Sequence, residues 1–310
     1  MAERLREAAK GVYIFAATRF REDGALGLDG FPRLIDFYLG HGVHGITILG
    51  MMGEANKLTA AETERFARGV LAYVNGRVPV VVGVSTSALV DLAALSKTVM
   101  AAGAAGVMVA PTPGLKGDDQ LVAYMETVAA ALGPDIPLVY QDYPQSTGVF
   151  LPVAVWHRLV AALPSLVMLK HEDCPALAKL SRIRADEKQP GRRRVSILVG
   201  NGGLYYPQEL QRGADGAMTG FAFPEMLVGV YDRHRAGDAQ AAEDLFDCYL
   251  PFVRYEQQPV YGLAVRKEVL RRRGAIASAK ARYPAPTLTG DDLAEIDRLL
   301  ARLARRLAAQ

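Results

Sequence analysis

One lysine in this 310-residue chain stands where a buried strand is expected to end. Lys170 follows the apolar run 166–169, and period-two alternation puts it on the same face as Leu166 and Met168. If that face is enclosed, removal from water disfavours the ammonium, and a neutral amine can attack a carbonyl carbon to form a Schiff base. If the strand end is open, Lys170 instead pairs in solvent with the acidic residues that follow it. Position alone leaves both interpretations open.

Tyr140 occupies the corresponding place at the end of the preceding apolar run. A phenol beside an amine can move protons while a Schiff base forms and breaks. Taken alone, Tyr140 is better interpreted as a core tyrosine whose hydroxyl is satisfied. A lysine and a tyrosine that end adjacent strands make a joint catalytic role the stronger hypothesis.

A short turn with two glycines follows an earlier apolar run. Gly50 and Gly53 enclose Met51 and Met52, and Glu54 comes next. Glycines in such a turn expose backbone N–H groups, which can hold a carboxylate. The alternative is an ordinary turn that needs glycine conformations.

The elements that must position these residues recur with a regular spacing. Eight short apolar runs lie roughly 30 residues apart, which is the spacing of βα units. The predicted strands are 12–18, 45–49, 78–84, 106–110, 137–140, 166–170, 195–199 and 216–219. Helical spacing separates them, as in 59–74, where Thr59 and Glu62 form a capping-box pattern. We therefore predict an α/β fold, a (β/α)8 TIM barrel; a doubly wound open sheet is the alternative.

Beyond about residue 224 the pattern is helical only. The predicted helices are 224–235, 239–256, 259–273 and 291–308. They exceed the single helix needed to close a barrel. We expect a catalytic barrel domain at 1–236 and a C-terminal helical extension at 237–310.

Composition excludes several classes of protein. Lys and Arg total 36 and Asp and Glu total 33, a net charge of +3, which argues against a nucleic-acid partner. No segment has the apolar length of a membrane helix, and the first ten residues lack a secretory pattern. The two cysteines, Cys174 and Cys248, match neither a disulfide framework nor a zinc spacing. These features indicate a cytoplasmic protein with no metal and no cofactor.

Taken together, the motifs resemble the dihydrodipicolinate synthase / N-acetylneuraminate lyase family. The resemblance rests on the GxxGE turn at 50–54, on Tyr140 and Pro144, on Lys170, and on the glycine-rich segments 200–202 and 213–217. It extends from about Gly11 to the C-terminal helices. It implies a (β/α)8 barrel with a helical extension, a homotetramer, a Schiff-base lysine at Lys170 and a tyrosine acid/base at Tyr140.

Two departures bear on the substrate. Members of the family commonly carry hydroxyl residues where this chain has Met51 and Met52, and the synthases have an arginine shortly after the position of Pro144. The segment 141–146 is instead similar to L-2-keto-3-deoxyarabonate dehydratases. The resemblance therefore implies a Schiff-base lyase that acts on a 2-oxo acid, as a dehydratase or aldolase of a 2-keto-3-deoxy sugar acid.

In this hypothesis the N–H groups of Met51 and Met52, between Gly50 and Gly53, hold the substrate carboxylate. Candidates for binding the substrate hydroxyls lie at three other strand ends: Asp142, Glu172 and Asn201. Gly200 is a further candidate for substrate binding. Three alternatives stay open. They are a synthase-like condensation of pyruvate with an aldehyde, a phosphate-binding barrel that uses the glycine-rich strand ends at 200–203 and 219–220, and a non-catalytic 2-oxo acid sensor.

Overall fold

Eight parallel strands close into a barrel in the computed structural model, which describes residues 3–173 and 176–309. Each strand pairs with its neighbours in the chain, and the first pairs with the last. The strands are β1 (Gly11–Phe15), β2 (Gly45–Ile48), β3 (Val80–Gly83), β4 (Gly106–Val109), β5 (Leu138–Asp142), β6 (Leu166–His171), β7 (Ser196–Val199) and β8 (Gly216–Thr219). The predicted barrel is confirmed, and each predicted strand overlaps an observed one.

Helices surround the barrel and continue beyond it. They are α1 (Phe31–Gly40), α2 (Ala60–Val74), α3 (Leu89–Ala101), α4 (Asp118–Leu132), α5 (Pro144–Thr147), α6 (Val153–Ala162), α7 (Ala176–Asp186), α8 (Tyr206–Gln211), α9 (Pro224–Arg235), α10 (Ala239–Glu256), α11 (Gly262–Arg272) and α12 (Gly290–Leu307). Short 3-10 turns lie at Ala55–Lys57 and Asn201–Gly203. The predicted C-terminal helices are confirmed to within a few residues at each end.

Local sequence explains where α2 begins. Thr59 accepts a hydrogen bond from the N–H of Glu62, and the Glu62 carboxylate accepts one from the N–H of Thr59. This is the capping box that the sequence predicts, and it satisfies two N–H groups that the first turn leaves without partners. The strands are apolar on both faces because side chains cover the sheet inside and outside the barrel.

The core has two layers. The inner layer fills the barrel and includes Phe15, Met108, Val139 and Met168. The outer layer lies between the strands and the helices. Which layer a strand residue joins decides whether its side chain can reach the mouth of the barrel, where the active sites of this fold lie.

A bulge in β6 changes the alternation that the sequence suggests. Leu138 is opposite Leu166, but Val139 is opposite Met168, so Val167 is an extra residue in the pairing. Leu166 consequently packs in the outer layer, whereas Met168 packs in the inner layer. The expectation that Lys170 shares a face with Leu166 is wrong, because the bulge breaks the period of two; its alignment with Met168 holds.

The C-terminal helices pack closely on the barrel. Helix α10 lies against α9, and Glu256 at its end forms a buried ion pair with Arg266 of α11. The Glu256 carboxylate also accepts a hydrogen bond from the N–H of Ala222, just beyond β8. Among the described residues, no helix combines the length and the apolar character needed to cross a bilayer.

Candidate active site

Lys170 lies inside the mouth of the barrel, at the end of β6. Its side chain is 2% exposed, and its Nζ lies 4.8 Å from the centroid of the Phe15 ring in the inner core layer. The Glu172 Oε2 lies 2.9 Å from the same Nζ. The amine is thus enclosed, in contact with one carboxylate and the face of one aromatic ring.

Gln141 completes this group, although its role is not evident from the sequence. It lies opposite Lys170 in the β5–β6 pairing, and its Nε2 donates a hydrogen bond of 2.9 Å to Glu172 Oε2. One Glu172 oxygen therefore contacts both the lysine amine and the glutamine amide. Tyr143 lies near the same carboxylate: burial and then the negative charge of Glu172 raise the pKa of the Tyr143 phenol.

Tyr140 faces away from this group. It packs in the outer core layer, with its ring 6.5 Å from that of Trp156 in α6. Burial, and then the nearby charge of Asp142, raises the pKa of the Tyr140 phenol well above its ordinary value. The expectation that Tyr140 lies beside Lys170 is wrong, because alternation along β5 turns Tyr140 outward and Gln141 inward.

Asp142 shares the outward orientation of Tyr140. Its Oδ2 lies 2.6 Å from Lys179 Nζ, on α7, and 3.2 Å from His171 Nδ1. All three groups are buried behind the sheet. Asp142 therefore ties β5 to β6 and α7, and the expectation that it binds substrate hydroxyls is wrong. His171 lies on the side opposite Lys170, as alternation requires.

The turn after β2 reaches the same barrel mouth. A Cβ built on Gly50 would lie 2.6 Å from the Phe15 ring, so only glycine fits there without a shift. The N–H groups of Gly53, Glu54 and Ala55 donate within the turn to carbonyls of Gly50 and Met51. Within the described residues, no acceptor is found for the N–H groups of Met51 and Met52. Those two groups are the ones that the sequence assigns to the substrate carboxylate.

The glycine-rich turn after β7 supports Glu172. A Cβ on Gly200 would lie 2.2 Å from Glu172 Cγ, so glycine leaves room for that side chain. The Asn201 amide donates to the Glu172 backbone oxygen at 3.0 Å. Gly200 and Asn201 thus lie at the site, where both are next to Glu172.

Three backbone N–H groups of this turn are already engaged. Those of Gly200, Gly202 and Gly203 donate to His171 O, Thr219 Oγ1 and Gly200 O respectively. A phosphate held by that turn needs free N–H groups, so the geometry disfavours phosphate binding by residues 200–203. In the part of the chain that the structure describes, no group of three His, Cys, Asp or Glu side chains is placed to hold a metal ion. Cys174 lies outside the described residues.

A parallel eight-stranded barrel with a buried lysine at the end of its sixth strand defines the structural class of this protein. Its sequence matches the dihydrodipicolinate synthetase family over residues 8–303, and the chain belongs to that family. It is a lyase of the family.

Individual relatives share the whole length of the chain. An L-2-keto-3-deoxyarabonate dehydratase from Azospirillum brasilense is 30% identical over 308 residues, which cover 96% of this chain and 94% of that protein. The crystal structure of a dihydrodipicolinate synthase from Rhodopseudomonas palustris has 43% identity and a TM-score of 0.95, and it covers 97% of this chain and 100% of its own. YagE from E. coli K12, solved in complex with pyruvate, has 27% identity, a TM-score of 0.86 and coverage of 95% and 98% respectively.

Proposed function

We propose that this protein is a Schiff-base lyase that acts on a 2-oxo acid, most simply the dehydratase of a 2-keto-3-deoxy sugar acid. The observation that carries the proposal is the contact of Lys170 Nζ with Glu172 Oε2 at 2.9 Å inside the barrel mouth. A carboxylate in contact with an enclosed amine can accept its proton, which leaves a nucleophile, and can then serve as a base for the bound substrate.

In the proposed reaction Glu172 takes a proton from Lys170, and the neutral amine adds to the C2 carbonyl of the substrate. The hydroxyl of this adduct leaves as water with the proton that Glu172 returns, which gives a protonated imine and restores the carboxylate. The positive charge on nitrogen acidifies C3, and the Glu172 carboxylate takes a C3 proton to form the enamine. The enamine expels the C4 hydroxyl, which leaves as water with the proton that Glu172 returns. Hydrolysis of the remaining imine releases the dehydrated 2-oxo acid and restores Lys170.

Gln141 positions the base in this scheme. Its amide donates to the Glu172 oxygen that faces Lys170, so it fixes the direction of the carboxylate without transferring a proton. The Asn201 amide and the absence of a side chain at Gly200 hold the backbone and leave space for the carboxylate. The N–H groups of Met51 and Met52 bind the C1 carboxylate of the substrate.

The name of the Azospirillum relative favours dehydration over the aldol and condensation reactions, all of which pass through the same imine. Cleavage of C3–C4 instead of C4–O gives the aldolase reaction. Addition of the pyruvate enamine to an aldehyde gives the synthase-like reaction. On the family resemblance we further propose a homotetramer that works in the cytoplasm.

The test is a screen of 2-oxo acids and 2-keto-3-deoxy sugar acids with the purified protein, read in two ways. Borohydride reduction followed by mass spectrometry detects the imine, and product analysis separates loss of water from carbon–carbon cleavage. The proposal expects an adduct with pyruvate and water loss from at least one 2-keto-3-deoxy sugar acid. Binding of a 2-oxo acid with an adduct but no turnover of any compound indicates the sensor instead, and the absence of any adduct refutes the Schiff base.

A further inference from the structure

A buried ion pair joins the turn after β2 to the C-terminal helices. Glu54, the residue after Gly53, is fully buried, and Lys267 of α11 directs its ammonium at the Glu54 Oε2. The two residues are 213 positions apart in the sequence. Lys267 is 1% exposed and also donates to the backbone oxygen of Lys280 at 2.9 Å.

The second carboxylate oxygen of Glu54 also accepts hydrogen bonds. Its Oε1 accepts a hydrogen bond of 3.0 Å from the N–H of Arg282 and one of 3.1 Å from Lys57 Nζ. The carboxylate therefore has partners on both oxygens, and two of them, Lys267 and Arg282, come from α11 and the segment that follows it. Removal of one partner would leave a buried charge without compensation.

The backbone from Leu49 to Glu54 has little freedom to move independently of the Glu54–Lys267 ion pair. Glu54 adopts φ +53 and Leu49 φ +55, the left-handed region that ordinary residues rarely occupy. A Cβ on Gly53 would lie 3.1 Å from the backbone nitrogen of Leu49, and the Gly53 carbonyl accepts a hydrogen bond from Thr18. Glu54 is one residue beyond the Gly50–Gly53 turn, so its position sets where the N–H groups of Met51 and Met52 point.

We propose that Glu54 and Lys267 are positioning residues: through their ion pair, the C-terminal helical extension holds the Gly50–Gly53 turn in the conformation that binds the substrate carboxylate. This inference rests on the proposed function of that turn. It assigns the extension a part in substrate recognition, although neither Glu54 nor Lys267 touches the substrate. Five basic residues lie in the segment 266–273 of α11 and its end. The inference explains two of them, because Arg266 and Lys267 are buried in ion pairs with Glu256 and Glu54.

The experiment compares two ketones that differ in the carboxylate: pyruvate and hydroxyacetone. Borohydride trapping measures the concentration of each that gives half-maximal adduct on Lys170. In the double variant Glu54→Gln/Lys267→Met, which removes both charges together, the half-maximal pyruvate concentration is expected to rise about 10- to 100-fold, the range for hydrogen bonds to a charged group. The value for hydroxyacetone is expected to stay within about threefold, since it has no carboxylate to place.

The matched control removes the other buried ion pair of the same helix. Arg266→Met/Glu256→Gln also disrupts a charged pair of α11, but that pair lies against Ala222 after β8 and not against the turn. It is expected to lower the melting temperature and to affect both ketones equally. Glu54→Asp keeps the charges but shortens the side chain, so it is expected to show the pyruvate-selective loss even if the double variant does not fold.

Equal loss for both ketones in the Glu54 variants, or no loss for either, overturns the positioning role. If the proposed function itself is wrong, the result is different, because the unmodified protein then forms no adduct with pyruvate at all. Melting curves for every variant separate either result from unfolding.

Discussion

Replacement of Glu172 by glutamine tests the proposed acid/base directly. Glu172→Gln keeps the size of the side chain and can still contact Gln141, but it removes the negative charge that lies 2.9 Å from Lys170 Nζ. The imine should then form more slowly, because no carboxylate accepts the proton of the Lys170 amine, but it should still reach its full extent at saturating pyruvate. The later proton transfers at C3 and C4 lose their base.

The expected loss of turnover follows from the contribution of a general base to the rate. A positioned general base accounts for about 10²- to 10⁴-fold in rate. At about 1.4 kcal/mol per tenfold, this is about 3 to 5 kcal/mol of barrier. Glu172 is 6% exposed, so we expect water to replace it poorly and the loss to fall in the upper half of that range.

Tyr140→Phe provides the matched control. The Tyr140 hydroxyl is buried on the outer face of the sheet and has no hydrogen-bond partner among the described residues, so its removal should change turnover by less than about threefold. The assay measures kcat on the substrate found in the screen, together with the extent of borohydride trapping at saturating pyruvate. Glu172→Gln should trap pyruvate nearly fully but turn over slowly. A Tyr140→Phe variant that loses as much activity as Glu172→Gln, or a Glu172→Gln variant that keeps more than about a tenth of its turnover, would refute the reasoning.

Two further predictions concern the turn and the stability of the barrel. Gly50→Ala places a Cβ 2.6 Å from the Phe15 ring, so the turn must shift. The pyruvate concentration for half-maximal trapping should therefore rise at least about tenfold. Phe15→Leu in the same chain should recover part of that loss. Burial raises the pKa of Glu209 to about 8. Between its ordinary pKa and that value, the folded chain keeps a proton that the unfolded chain releases. The free energy of unfolding therefore falls as pH rises through this range. Glu209→Gln should therefore match the parent near pH 5 and exceed it by up to a few kcal/mol near pH 9, as measured by urea unfolding at both values; a difference that does not depend on pH contradicts this assignment.

The sequence was sufficient for the barrel because its signals are local and repeated. Apolar runs about 30 residues apart, and a capping pair such as Thr59 and Glu62, each report on their own segment. The place of Lys170 at a strand end is likewise read from its neighbours. None of these inferences requires knowledge of which segments meet in space.

The wrong predictions arise where a local sequence pattern does not show which side of the sheet a side chain faces. Residues 138–142 are buried on both faces, so alternation alone does not say whether Tyr140 or Gln141 turns inward. The extra residue Val167 shifts the alternation near the start of β6, and no turn residue marks it. The sequence suggests Asp142 as a substrate ligand because it lies at a strand end, and nothing local shows that its partner Lys179 lies on another element, 37 residues away.

The pairing of Glu54 with Lys267 could not be predicted from local sequence either. The GxxGE pattern is visible in the sequence, and so is the basic segment, but nothing local connects residues separated by 213 positions. The helical pattern predicts a domain boundary between residues 236 and 237, whereas this ion pair joins the two parts next to the Gly50–Gly53 turn.

Peptide mapping of the reduced adduct identifies the lysine that forms the imine. The protein is incubated with pyruvate, reduced with borohydride, digested and sequenced by mass spectrometry, with Lys170→Ala treated in parallel. We expect a single modified lysine, Lys170, and no modification in the variant. An adduct on another lysine, or one that persists in Lys170→Ala, would show that Lys170 is not the Schiff-base residue.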